Sequence, residues 1–151
     1  MTVHSRRKLM KTVDVERVRA AVAEAERCTS GEVRVSVARF FWGSVRGAAE
    51  LAFARLGMAK TKDRNGVLFF IVPARKTFIV LGDEGIHAKV GQEFWESLAG
   101  LMSGHFRKGE FTEGLVEAVE AAGRQLAAHF PYDAAVDVNE LSDEVDFGDA
   151  N

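Results

Sequence analysis

The sequence predicts an α/β fold, a three-layer αβα sandwich with helices on both faces of a short mixed sheet. Three observations predict it. Residues 67–72 and 78–81 are apolar β-rich runs separated by a short turn that contains Pro73, which is a hairpin signal. Neither run has a polar face, and such strands are covered on both sides. Segments of helical period surround them in the order α-β-α-β-β-α-α.

Each element follows from its local pattern. Asp14 N-caps a helix over 14–28 whose apolar stripe is Val15, Val18, Val22 and Ala25. Thr29-Ser30-Gly31 breaks it. Over 32–39 the period becomes two, with Val33, Val35 and Val37 opposite Arg34 and Ser36, so this strand is expected towards an edge and less covered on one side. Phe40-Phe41-Trp42-Gly43 is a loop, and Ser44 caps a helix over 44–56 with Val45, Ala48 or Ala49, Ala52 and Leu56 inward. After the hairpin, a helix over 88–102 presents Val90, Phe94, Leu98 and Leu101. A turn over 104–110 leads to a last helix over 112–130, with Leu115, Val119, Ala122 and Leu126 inward. Pro131 helps to stop it.

The domain is expected over 12–131, between a basic tail at 1–11 (Arg6, Arg7, Lys8, Lys11) and an acidic tail at 132–151. The acidic composition reads as a disordered tail. The alternative is that Val138, Leu141, Val145 and Phe147 clip it onto the domain or onto a partner.

Composition removes several classes of function. A chain of 151 residues buries one sizeable core. A formal charge of −2 argues against nucleic acid as the partner. The single Cys28 makes no internal disulfide, and its expected role is that of a small buried apolar residue. The N-terminus lacks the apolar stretch of a signal peptide, and no run reaches the roughly 20 apolar residues of a bilayer span. The expected location is the cytoplasm.

The first strand, its crossover helix and the second strand form a βαβ unit, so those strands should be parallel. With the antiparallel hairpin, this sorts the loops onto two ends of the sheet. Glu32, Asp63, Asn65, Asp83, Glu84 and His87 gather at one end. Arg39, Phe40, Phe41, Trp42, Arg75, Lys76, His105, Phe106, Arg107 and Lys108 gather at the other. One pole is acidic; its opposite is basic and aromatic.

Four stretches resemble the TPM domain family: Thr-Ser-Gly-Glu32-Val-Arg-Val, Asp-Arg-Asn65-Gly66-Val-Leu, Gly82-Asp83-Glu-Gly85-Ile-His87 and Phe106-Arg-Lys-Gly109-Glu-Phe-Thr-Glu-Gly114-Leu. The likeness runs from about Asp14 to Phe130, and the closing Asn139-Glu-Leu-Ser-Asp-Glu-Val is similar to the tail of small, soluble bacterial members. The resemblance implies a Rossmann-like sandwich. It also implies divalent-metal binding, an acid-phosphatase-like activity, or an accessory role in assembling or repairing membrane complexes. The chain departs from many relatives in showing neither a signal peptide nor a membrane helix.

The acidic pole fits a hard cation, Ca²⁺ or Mg²⁺, which takes carboxylate and amide oxygens. Asp63 and Asp83 are the first candidates, with Glu32, Asn65 and Glu84 in reserve. The plainer reading is that Asn65-Gly66 makes a tight turn, Asp83 caps the next helix, Glu32 is solvated and His87 ends a helix. A phosphatase would need a metal on Asp63 and Asp83 to activate water, with Arg64 on a phosphate oxygen. The chain has no Cys-x5-Arg, no Asp-x-Asp leaving a strand and no Gly-rich P-loop. At the other pole, Phe40, Phe41 and Trp42 with Arg39, Arg46 and Arg75 form an aromatic anchor with a cationic rim, suited to a protein partner or an anionic membrane surface. The plainer reading folds at least two of these aromatics back under a helix. The combined expectation is a non-enzymatic binding module, with a low-activity metal-dependent phosphatase as the alternative.

Overall fold

Seven residues without a polar side chain, Gly66–Val72, form the central strand β2 of a three-stranded sheet. The computed structural model describes residues 13–132 and 144–148. Strand β1 (Glu32–Val37) lies parallel to β2, and β3 (Thr77–Gly82) lies antiparallel to it on the other side. The helices are α1 (Val15–Glu26), α2 (Val45–Arg55), α3 (Glu84–Val90), α4 (Gln92–Phe106) and α5 (Phe111–His129). Single 3₁₀ turns stand at Met58–Lys60 and Pro73–Arg75.

The alternation of β2 sends its side chains to two cores. Val67, Phe69 and Ile71 join Val33, Val35 and Val37 beneath α1, α4 and α5. Leu68, Phe70 and Val72 meet Ala49, Ala52 and Met58 beneath α2. Removing the side chain of the fully buried Phe69 would cost about 3–5 kcal/mol. Helices cover both faces of the sheet, as the apolar strands require.

The caps lie where composition placed them. Asp14 Oδ1 accepts from the Arg17 amide at 3.2 Å, and Ser44 Oγ accepts from the Gly47 amide at 2.9 Å. Helices α1 and α5 pack so closely that a Cβ on Gly123 would lie 2.7 Å from the Ala25 Cβ. The last helix buries Leu115, Val119, Ala122 and Leu126, the stripe its periodicity marks.

Several expectations need correction. The helix expected over 88–102 is two helices, α3 and α4, broken at Gly91, whose φ of +78° has no place in a right-handed helix. Leu101 lies on the outer side of α4, and Trp95 and Met102 take the inward positions with Leu98. Cys28 is exposed, because the chain leaves α1 before it and turns outwards.

Strand β1 departs most. Its polar residues are buried: Ser36 is 1% and Arg34 9% exposed. Ser36 is covered by residues 144–148, which run parallel along the free edge of β1. The Val37 amide donates to the Asp146 carbonyl at 2.7 Å, and the Asp146 amide donates to the Val35 carbonyl at 2.8 Å. Val145 is buried in the larger core and Phe147 packs against it. Over these residues the acidic segment is a clip, not a free tail. Val138 and Leu141 lie outside the described residues, as does the basic stretch at 6–11.

Candidate functional site

The register fixes two ends of the sheet. Glu32 pairs with Gly66 and Val67 with Gly82 at one end; Val37 pairs with Ile71 and Val72 with Thr77 at the other. Loops carrying acidic residues leave the first end, and loops carrying aromatic and basic residues leave the second.

At the acidic end, Arg64 adopts a left-handed backbone with φ of +51°, and the turn expected at Asn65-Gly66 instead spans Thr61–Arg64, closed by the Arg64 amide on the Thr61 carbonyl at 3.3 Å. The Arg64 carbonyl accepts from the Gly85 amide at 2.8 Å and the Ile86 amide at 3.3 Å, closing the first turn of α3. Its guanidinium forms a two-point pair with Asp83, Nε to Oδ2 at 2.7 Å and Nη2 to Oδ1 at 2.8 Å. Glu84 lies farther along the same guanidinium at 3.4 Å. The hydrogen bond to Asp83 is the chief cause holding Arg64 above its ordinary pKa, with burial opposing it. Asp83 Oδ1 also accepts from the Glu84 amide at 2.8 Å, the helix cap that composition suggested.

The remaining acidic-end residues are distributed unevenly. Asp63 and Glu84 are exposed, whereas Glu32 is 2% and Asn65 1% exposed. Asn65 Nδ2 donates to Ser30 Oγ at 3.4 Å, and its buried Oδ1 has no hydrogen-bond partner. His87 accepts at Nδ1 from the Trp95 indole N–H at 2.9 Å, a structural role. Among the described residues, no group of three or more His, Cys, Asp or Glu side chains stands close enough to hold a metal ion. The Asp83 carboxylate faces the Arg64 cation instead.

At the opposite end, Trp42 is 85% and Phe40 50% exposed, their rings edge-to-face at 5.6 Å. Arg39 lies over the Phe40 ring at 5.9 Å. Phe41 alone turns inward to the α2 core, with Arg75 over its outer face at 4.8 Å. Only one of the three aromatics therefore folds back, where at least two were expected. A groove of about 530 Å³ runs between this loop, α2 and the clip, lined by Ser36, Leu51, Arg55 and Phe147 as well as the aromatics. A second groove of about 560 Å³ lies against α4 and α5, with Lys76, Phe78, Phe106, Arg107 and Lys108 around it. The structure thus gathers Arg39, Phe40, Phe41, Trp42 and Arg75 into one neighbourhood.

Sequence reasoning missed Arg55, Ser36 and Asp146. Arg55 donates to both carboxylate oxygens of Asp146, at 3.2 and 2.8 Å, and Ser36 Oγ donates to Oδ2 at 2.8 Å. Burial disfavours the Asp146 carboxylate, but the Arg55 and Ser36 hydrogen bonds outweigh it and hold the pKa below its ordinary value. The available signal was the alternation Val145-Asp146-Phe147, a strand pattern with one polar side chain.

A three-stranded mixed sheet between helices, with an acidic and an aromatic-basic end, defines a small α/β sandwich of the TPM type. A TPM domain model matches residues 3–125, and the chain belongs to that family. It is similar to the BA42 protein of the psychrophilic bacterium Bizionia argentinensis, with 35% identity, a TM-score of 0.83, and coverage of 89% of this chain and 92% of that one. The N-terminal domain of the cg2496 protein of Corynebacterium glutamicum shares the fold at 11% identity, with a TM-score of 0.59 over 75% of this chain and 71% of that one. No protein of curated function is similar in sequence. No helix among the described residues is long and apolar enough to cross a membrane.

Proposed function

We propose that the chain is a non-enzymatic binding module that seats a protein partner at the aromatic-basic end and assists the assembly or maintenance of a membrane protein complex. The supporting observation is the clustering of exposed apolar side chains. Phe40, Trp42 and Leu51, the last 74% exposed, surround one groove rimmed by arginines. Exposed apolar groups gathered beside a concave surface mark interaction sites, whereas single ones are ordinary. Trp and Arg are also the residue types that most often carry binding energy.

The test is affinity capture from the source cell with the wild type, Trp42→Ala and Asp83→Ala. A specific set of partners lost with Trp42→Ala and kept with Asp83→Ala is the expected result. Hydrolysis of p-nitrophenyl phosphate that Asp83→Ala abolishes would replace this reading with the phosphatase one.

A second reading places Ca²⁺ or Mg²⁺ at the acidic end, near Asp63, Asp83, Glu32 and Glu84. The observation favouring it is the buried Asn65 Oδ1, an oxygen donor without a partner. A cation there competes with the Arg64 guanidinium for Asp83. Thermal unfolding with EDTA, Ca²⁺ and Mg²⁺ tests it. A native-state ligand at 100 times its Kd adds about 2.7 kcal/mol. The shift should grow in Arg64→Ala and vanish in the double variant Asp63→Ala, Asp83→Ala.

A further inference from the structure

The clip over 144–148 sits where a bound peptide would. It adds a short parallel strand to β1, the mode by which extended ligands join an open sheet edge. The backbone bonds to Val35 and Val37 hold any sequence. Selection comes from the side chains, with Val145 entering the core, Asp146 held by Arg55 and Ser36, and Phe147 lining the groove beside the aromatic loop.

From this geometry we infer that the β1 edge and the Arg55–Ser36 pair are the recognition site for an extended partner segment of the form apolar–Asp–apolar, and that the chain's own Val145-Asp146-Phe147 occupies it in competition. The inference rests on the binding-module reading and names the partner class for that groove.

The chemistry of the site carries the argument. Asp146 receives three side-chain hydrogen bonds, two from a guanidinium fork and one from a hydroxyl. A fork of this kind matches a carboxylate in both shape and charge. The strand period sends Val145 and Phe147 away from the Asp side chain and onto the larger core, while the carboxylate meets Arg55 and Ser36 at the groove. Phe40 and Trp42 line the same groove as Phe147 and Gly148, which gives a longer segment a further apolar surface. A tethered competitor acts at millimolar effective concentration, so it keeps weak ligands out and yields to a longer one that also fills the groove.

The test uses the full chain and a fluorescein-labelled peptide of its own residues 140–151. Wild type should bind this peptide weakly. Asp146→Ala in the protein removes the competitor's carboxylate and should tighten binding about tenfold or more, the scale of a lost charge-assisted pair. Adding Arg55→Ala to that variant, or replacing the peptide's own Asp by Ala, should abolish the gain. Asp146→Asn is the milder substitution if Asp146→Ala fails to fold, and circular dichroism reports which variants are folded. Equal binding by wild type and Asp146→Ala, or binding indifferent to Arg55, would overturn the inference. So would a concentration-dependent dimer of Asp146→Ala joined through exchanged tails, since the occupant would then be a second copy. Partner capture that depends on Trp42 despite a failed peptide test would leave the binding-module reading intact, which separates the two.

Discussion

Arg64 and Asp83 meet as a fork and a carboxylate, with Nε 2.7 Å from Oδ2 and Nη2 2.8 Å from Oδ1, across the junction between the β2 entry loop and α3. Asp83 is nearly buried and serves two donors, the Arg64 side chain and the Glu84 amide. Arg64 is partly exposed and loses less when truncated. Urea unfolding should therefore show Asp83→Ala destabilised by about 2–3 kcal/mol and Arg64→Ala by less. Equal losses would mean that the cap contributes nothing.

Gly85 follows the same junction. A Cβ there would stand 2.0 Å from the Asp63 carbonyl oxygen and 2.6 Å from that of Arg64, both backbone atoms. The loop has to move for Ala to fit, which breaks the carbonyl cap on α3. Gly85→Ala should cost about 1–3 kcal/mol or more. The melting temperature reports the loss, while Gly104→Ala, where nothing lies within 4 Å, serves as the control.

His105 joins α4 to α5 through two carboxylates, Nδ1 to Glu110 at 2.8 Å and Nε2 to Glu117 at 3.1 Å. Both nitrogens can donate only in the imidazolium form. The Glu110 hydrogen bond, aided by Glu117 and opposed by burial, raises the pKa above its ordinary 6.5. A raised folded pKa means that the stabilisation is complete below 6.5 and is lost as pH rises through the folded value. The stability difference between wild type and His105→Gln should shrink as pH rises above 6.5. Denaturant unfolding across that range measures it.

Trp42 is 85% exposed, and its ring meets that of Phe40 edge-to-face. Trp42→Ala should leave the unfolding free energy within about 0.5 kcal/mol of wild type. Chemical denaturation checks this, and the result allows a lost interaction to be assigned to the surface and not to misfolding.

The hairpin, the parallel pairing of β1 with β2 and the two-ended sorting of loops were legible because they follow from local pattern and chain connectivity. Two apolar runs with a turn between them have to pair, and a crossover helix has to return the chain in the same direction. Helix caps at Asp14 and Ser44 were readable for the same reason, since a cap needs only its own next turn. The break at Gly91 was not read, because a glycine inside an amphipathic pattern says nothing about its φ until the flanking helices dock.

The sequence by itself determined the sandwich, the central strand and the character of each pole. Those depend on period, charge and topology. Only the tertiary structure decided what each charged group faces: Arg64 against Asp83, Arg55 against Asp146, and His105 between Glu110 and Glu117. Such pairs join residues far apart in sequence or fixed by loop geometry, and no local propensity selects them. The burial of Ser36 had the same origin. Period two marked its face of β1 as polar, and the docking of a segment more than a hundred residues away, with Asp146 separated from Ser36 by 110 positions, covered Ser36.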